Sequence, residues 1–291
     1  MFECRAYLLD MTRRVPTMRT LQEWVDILAC YRYNEFRPFV EKDFPEELID
    51  FGKLGAYCEM QGLKMVETTR DDFEELFVRA EYAIVSTAAE RSLAGRVEDM
   101  REQMIKVEAQ GRARKAKGFL VTDFSDECCW QPLCVSLPGI IMGGNFASGG
   151  AKSSMMDLEK ELDRVMDAPL GGMLLRLGTL YLRGGAIREN ASELFNILSH
   201  DVGYSRHPGM TQFVLDDISG VARGVRIAAE RWENRSDWAK EIVYAANLLD
   251  CACHRRDETR LRELRDEHGH IWRMRFLPEG RVESMSRIPR F

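Results

Sequence analysis

No apolar run in the 291 residues approaches the ~18–20 needed to cross a bilayer, so a membrane-spanning helix is excluded. Positive charge is not in excess either. Forty-one Lys+Arg against 47 Asp+Glu leave a net charge of −6, which excludes a general nucleic-acid coating. Cysteine is too sparse for a disulfide framework: the 8 thiols stand at 4, 30, 58, 128, 129, 134, 251 and 253, with no C-x2-C pair. Cys128, Cys129, Cys134, Cys251, Cys253 and His254 are soft groups. Adjacent cysteines chelate one ion poorly, and two residues apart on a helix the thiols diverge by about 200°, so neither metal nor cofactor is expected. A phosphate loop of Walker or dinucleotide type is missing, because GGNFASGG lacks the lysine and the preceding strand. The opening MFECRAYLLDMTRR carries Glu3 and Arg5 before a very short apolar stretch, unlike a secretory signal; reduced thiols in the cytoplasm are expected.

What the chain does have is 45% hydrophobic residues, enough for one large domain or two ordinary ones, and two rhythms that part near residue 150. In residues 1–150 short apolar segments alternate with helical patterns. Strands are expected at 6–10, 36–40, 63–67, 82–87 and 118–123. Helices are expected after Thr17, from Pro45 to Gln61, at 71–80 and from about 92 to 116. Such alternation predicts parallel βαβ units, with functional loops at the carboxyl ends of the strands. The Gly/Ser-rich stretch 143–154 reads as a loop or hinge. Residues 151–291 read as an all-helical domain with segments at 155–166, 170–182, 191–199, 210–231, 236–254 and 257–273, followed by a basic, irregular tail.

Three stretches carry a resemblance. LLDMTRRVPTMRTL (8–21), VTDFSDECCWQPLCVSLPG (121–139) and EHGHIWRMRFLPEGRVES (267–284) resemble, in order, the first barrel strand, the last barrel strand and the C-terminal segment of glycoside hydrolase family 20 and its bacterial hexosaminidase-like relatives. WQPL is the most specific match; YCEMQGLKMV (57–66) and AGRVEDM (94–100) are weaker echoes. The resemblance implies a (β/α) barrel acting on terminal amino sugars, with an Asp–Glu pair that orients the substrate's own acetamide and protonates the leaving oxygen. It also implies that Arg13 of the L-D-x-x-R sequence holds sugar hydroxyls. The chain departs from the family pattern at Phe124, Ser125, Cys128 and Cys129 in the last strand's loop, and at Phe276 and Glu279 in the tail.

A whole barrel takes roughly 200–250 residues, about 30 per βα unit, so residues 1–150 hold only five units. The third strand resembles the family's third and the next two its seventh and eighth; strands four to six, with the family's catalytic pair, are not recognisable. The expected architecture is therefore an incomplete TIM-type (β/α) barrel over 1–150 and a C-terminal all-helical domain over 151–291. Its open sheet edges would be covered by the helical half or by a second copy of the chain.

Asp126 and Glu127 are the available candidates for an acid and a stabiliser, although adjacent residues on an extended segment point apart and would equally be solvent-facing loop carboxylates. Arg13 is the candidate ligand contact, its guanidinium fork suiting vicinal hydroxyls or a carboxylate; the alternative is an ion pair with Asp10 or Asp123. Asp10 and Asp123 stand at the same strand ends, Asp123 to orient Arg13 or a sugar hydroxyl. Trp130 reads either as a platform for a sugar face or as core. The functional expectation is a β-N-acetylhexosaminidase-type hydrolase binding a carbohydrate. Its alternatives are a non-catalytic saccharide-binding remnant and, more remotely, a scaffold using the helical half.

Overall fold

Five short apolar segments, each followed by a helix, build the first half of the chain. The computed structural model describes residues 1–45, 47–149, 155–185, 188, 190–200, 205–255 and 257–289. Strands β1 (Cys4–Asp10), β2 (Glu35–Phe39), β3 (Lys64–Met65), β4 (Tyr82–Ser86) and β5 (Gly118–Asp123) alternate with helices α1 (Met18–Cys30), α2 (Phe51–Met60), α3 (Arg70–Arg79) and α4 (Val97–Ala113). All pairings are parallel, and the spatial order is β3-β2-β1-β5-β4. The protein is thus α/β, and the expected strand positions agree closely with those observed.

Local chemistry explains the element boundaries. Thr17 caps α1 by accepting from Thr20 N; Asp50 caps α2 from Lys53 N. That cap starts α2 at Phe51, later than the expected Pro45. Thr69 and Asp72 form a reciprocal capping box on α3. The charged helix expected from residue 92 begins only at Val97, because Gly95 takes a left-handed φ of 82° and breaks the turn.

Period-two alternation splits the strands between two faces. On the outer face Tyr7, Leu9, Phe36, Phe119 and Val121 join one apolar core that runs without interruption from Phe2 to Ile288, across residue 150. On the inner face Ala6, Leu8, Phe39 and Leu120 form a separate small cluster, covered by α3 through Phe73 and Leu76. Phe73 meets Phe39 and Phe124 edge-on, with ring centroids at 6.1 and 5.3 Å, and those two rings meet each other at 5.5 Å. Such edge-to-face triples add to simple area burial.

The second half comprises α5 (Leu137–Ala147), α6 (Met155–Met166), α7 (Gly171–Leu177), α8 (Glu193–Ser199), α9 (Gln212–Glu230), α10 (Asp237–Cys253), α11 (Glu258–Arg275) and α12 (Arg281–Arg287). Two sequence expectations are corrected here. Residues 143–147, expected as part of a loop, are the last turn and a half of buried α5; residues 150–154 of that stretch lie outside the described residues. The glycines serve close packing: a Cβ on Gly143 would strike Val121, and one on Gly144 the carbonyl of Tyr31. The tail expected to be irregular contains α12, which packs on α11.

The helical half meets the sheet half at α1, where Trp238 lies 6.2 Å from Trp24, at the loop after β5, where Cys134 N donates to Glu241, and beside β4, where Val97 N donates to Gly178 O and Ser192 N to Arg91 O. At the β4 edge the Arg114 guanidinium donates to the Tyr82 carbonyl. Gly144→Ala should destabilise the protein by about 1–3 kcal/mol, the usual cost of overpacking. Gly220→Ala, at an open position on α9, should stabilise it by about 0.5–1 kcal/mol. Urea unfolding of both variants reads the contrast directly.

Candidate functional site

The carboxyl ends of β1 and β5 bring the three resemblance-bearing stretches together. Asp10 accepts from the backbone N and hydroxyl of Thr12 through Oδ1 (2.9 and 2.7 Å) and from Ser125 N through Oδ2 (2.9 Å), lacing the two strand ends together. Arg14, buried to 2% exposure, donates Nε to Ser125 Oγ (3.1 Å) and Nη1 to the Gln131 carbonyl (2.6 Å), and its guanidinium lies 5.2 Å from the Phe276 ring centroid. The tail then pairs with the loop after β1: Thr17 N donates to Arg275 O, and Leu277 N to Val15 O. Gly280, at φ 76°, lies so close to the Arg13 carbonyl that a Cβ would strike it.

Asp126 and Glu127 do not converge. Asp126 is buried; Oδ1 accepts from Cys128 N and Cys129 N (2.9 and 2.8 Å) and Oδ2 from Arg91 N (2.8 Å). It holds a turn in which Cys129 adopts a left-handed φ of 53°. Burial pushes its carboxyl above the ordinary range against those three donors. Glu127 faces solvent in an ion pair with Arg91 at 3.4 Å. Asp123 points into the outer core: Oδ2 accepts from Tyr7 (2.6 Å), whose oxygen takes the Trp24 Nε1 hydrogen bond, and Oδ1 accepts from Thr87 (3.0 Å). Both of its oxygens are thus taken by internal donors, and it forms no ion pair with Arg13.

Arg13 pairs with neither Asp10 nor Asp123. It is half exposed, 3.9 Å from Glu283, which in turn binds Arg287 at 2.8 Å. Glu127 lies within electrostatic reach of Arg287, so Arg91, Glu127, Arg287, Glu283 and Arg13 form a chain of alternating charge across the carboxyl edge. Trp130 is core, at 1% exposure; its ring lies 5.9 Å from that of Phe195, tilted by 50°, and it donates Nε1 to Ser284 O, so it offers no exposed platform.

Sequence reading missed three residues. Arg14 stands beside Arg13 at the same strand end, and no local pattern distinguishes the two arginines. Glu90, after β4, accepts from Ser86 Oγ at 2.8 and 3.1 Å and lies 3.5 Å from the fully buried Arg96. Burial raises the proton affinity of its carboxyl. His268 is the third. It accepts from Tyr244 OH at Nδ1 (2.7 Å) and donates from Nε2 to Ser284 Oγ (2.8 Å), which donates onward to Cys128 O. Burial drives its imidazole down to about 3, so it is held neutral.

All 8 cysteines are free, and burial pushes the thiols of Cys129, Cys251 and Cys253 up to about 12. Among the described residues no three His, Cys, Asp or Glu side chains are grouped as metal ligands. An open cleft of about 570 Å3 lies at the ends of β2 and β3, beside Lys42, Asp50 and Glu67, rather than over Asp126.

Asp126→Asn should cost about 1–3 kcal/mol, because an amide cannot accept on both sides, whereas Glu127→Gln should stay within about 0.5 kcal/mol. Thermal melts of the two variants separate them. His268 is neutral in the fold and free to protonate when unfolded. Its contribution to stability is complete above pH 6.5 and is lost as the pH falls toward about 3. His268→Gln should flatten that acid limb in chemical denaturation across the same window. The chain matches no protein-family profile and no curated protein.

Proposed function

We propose that the chain is a non-hydrolysing, saccharide-binding derivative of the hexosaminidase-type barrel. The strand order supports the architectural half of this reading. In a closed barrel the last stave pairs with the first, and here β5 lies beside β1 with β4 beyond it, while β3 ends the opposite edge. That is the arrangement left when three staves are taken from between the third and the last two, with α3 occupying the inner face.

The observation that carries the functional half is the employment of the carboxylates. Asp10, Asp123 and Asp126 are each consumed by internal donors, and Glu127 by a surface arginine. A glycosidase needs two groups facing one reacting bond, or one such pair with an acetamide. The exposed chain from Arg13 to Arg91 retains what binding needs: planar guanidinium forks and carboxylates suited to vicinal hydroxyls. Glu90 favours a second reading, hydrolysis, because its raised proton affinity suits a general acid.

Two measurements decide between them. The protein should not turn over an aryl N-acetyl-β-glucosaminide, and it should bind N-acetylglucosamine oligosaccharides in calorimetric titration, with Arg13→Ala weakening binding about tenfold, the worth of one lost charge-assisted hydrogen bond. Turnover abolished by Glu90→Gln, Asp126→Asn or Glu127→Gln would establish the hydrolase instead. Absence of binding at millimolar sugar would overturn both.

A further inference from the structure

α10 packs against both α9 and α11 and separates them, leaving a groove whose two walls carry opposite charge. Arg223 and Arg226 of α9 form one wall, Glu263 and Glu267 of α11 the other, and Asn247 of α10 the floor of a cavity of about 290 Å3. One end is already neutral: Asp250 binds Arg260 Nη1 at 2.5 Å and accepts from Ser219 Oγ at 2.5 Å.

Across the rest of the groove the two walls do not pair with each other among the described residues. Arg223 and Glu263 are exposed and make no hydrogen bond or ion pair among the described residues, and Arg226 Nε is buried without a hydrogen bond there, 3.7 Å from Glu230 in an ion pair along α9. No arginine of α9 closes on a glutamate of α11 to form an ion pair across the gap. Glu267 is held in place by the Asn247 amide, which donates to both its oxygens at 2.9 and 3.1 Å. Burial and the nearby Glu233 and Glu230 raise its carboxyl to about 7, with Arg226 pulling the other way, so an approaching cation would ionise it.

Arginines on one wall and glutamates on the other, with no ion pair closing between the walls among the described residues, are complementary to a molecule that is itself charged at both ends. The cavity lies at the small end of the ~300–1,000 Å3 usual for ligand sites, which suits a metabolite rather than a polymer. We propose that this groove binds a small zwitterion of the α-amino-acid type, its carboxylate on Arg223 and Arg226 and its ammonium on Glu263 and Glu267. The site lies wholly in the helical half and is independent of the saccharide reading.

The test is thermal-shift screening of the intact protein with pools of the free L-amino acids at millimolar concentration, followed by calorimetric titration of any hit. A free amino acid should bind. Its amide, lacking the carboxylate, and its N-acetyl derivative, lacking the ammonium, should each bind at least about tenfold more weakly, and Arg223→Gln, Glu263→Gln and Glu267→Gln should each weaken the parent by a similar factor. Arg223 and Glu263 are exposed and have no partner among the described residues, so those two variants should melt with the unmodified protein. The proposal is overturned by no binding from any pool, by equal binding of the amide or N-acetyl derivative, or by full affinity in the Arg223 and Glu263 variants.

Discussion

Two buried guanidinium groups fasten the chain's end to its beginning, and the rest of the architecture depends on them. A charge taken out of water must be surrounded by acceptors or the fold loses several kcal/mol. Arg14 finds its acceptors in the loop after β5 and its flat face against Phe276. Arg275 finds the fully buried Glu241 of α10 and Glu23 of α1, and lies 4.2 Å from the Trp238 ring centroid. Glu241 uses its other oxygen to accept from Cys134 N, at 2.6 Å. Burial alone would leave that carboxylate protonated; the arginine beside it opposes this. Four segments distant in sequence are thereby fixed to one another by charges that have no alternative partner.

The same fastening gives a structural role to several residues of the three stretches that carry the sequence resemblance. Asp10, Asp126, Trp130, His268 and Gly280 are each needed by the joint itself: as a lace, a turn-holder, a wedge, a buried relay of hydrogen bonds and a point of close backbone approach. Sequence motifs of this kind mark where a fold is tied as readily as where a reaction occurs. The inner face of the sheet is closed by Phe73 against Phe39 and Phe124.

Much of the fold was legible because it is written in local patterns. The five strands announce themselves as β-rich segments between amphipathic helices, and Thr17 and Thr69 mark helix starts by their side-chain chemistry. What was not legible depends on partners far away in the chain. The glycines 143 and 144 read as loop residues because nothing nearby shows that Val121 and Tyr31 press against them. The tail read as irregular because the surface that makes Arg281–Arg287 helical belongs to α11 and to the loop after β5. Arg13 and Arg14 are adjacent and chemically identical, so only the third dimension separates the exposed one from the buried one. The same holds for Glu90, whose environment is made by Arg96 and Ser86 rather than by its own sequence context.

The joint between Arg275 and the start of α1 spans 255 positions, through the hydrogen bond from Thr20 Oγ1 to the Arg275 carbonyl. During synthesis the loop behind the first strand must therefore wait, unlatched, until Arg275 has left the ribosome. Contacts so widely separated are slow to form, since the entropy of closing the intervening loop comes before any reward. Until that moment the nascent chain presents its sheet with the lock open, and a truncated product would never shut it.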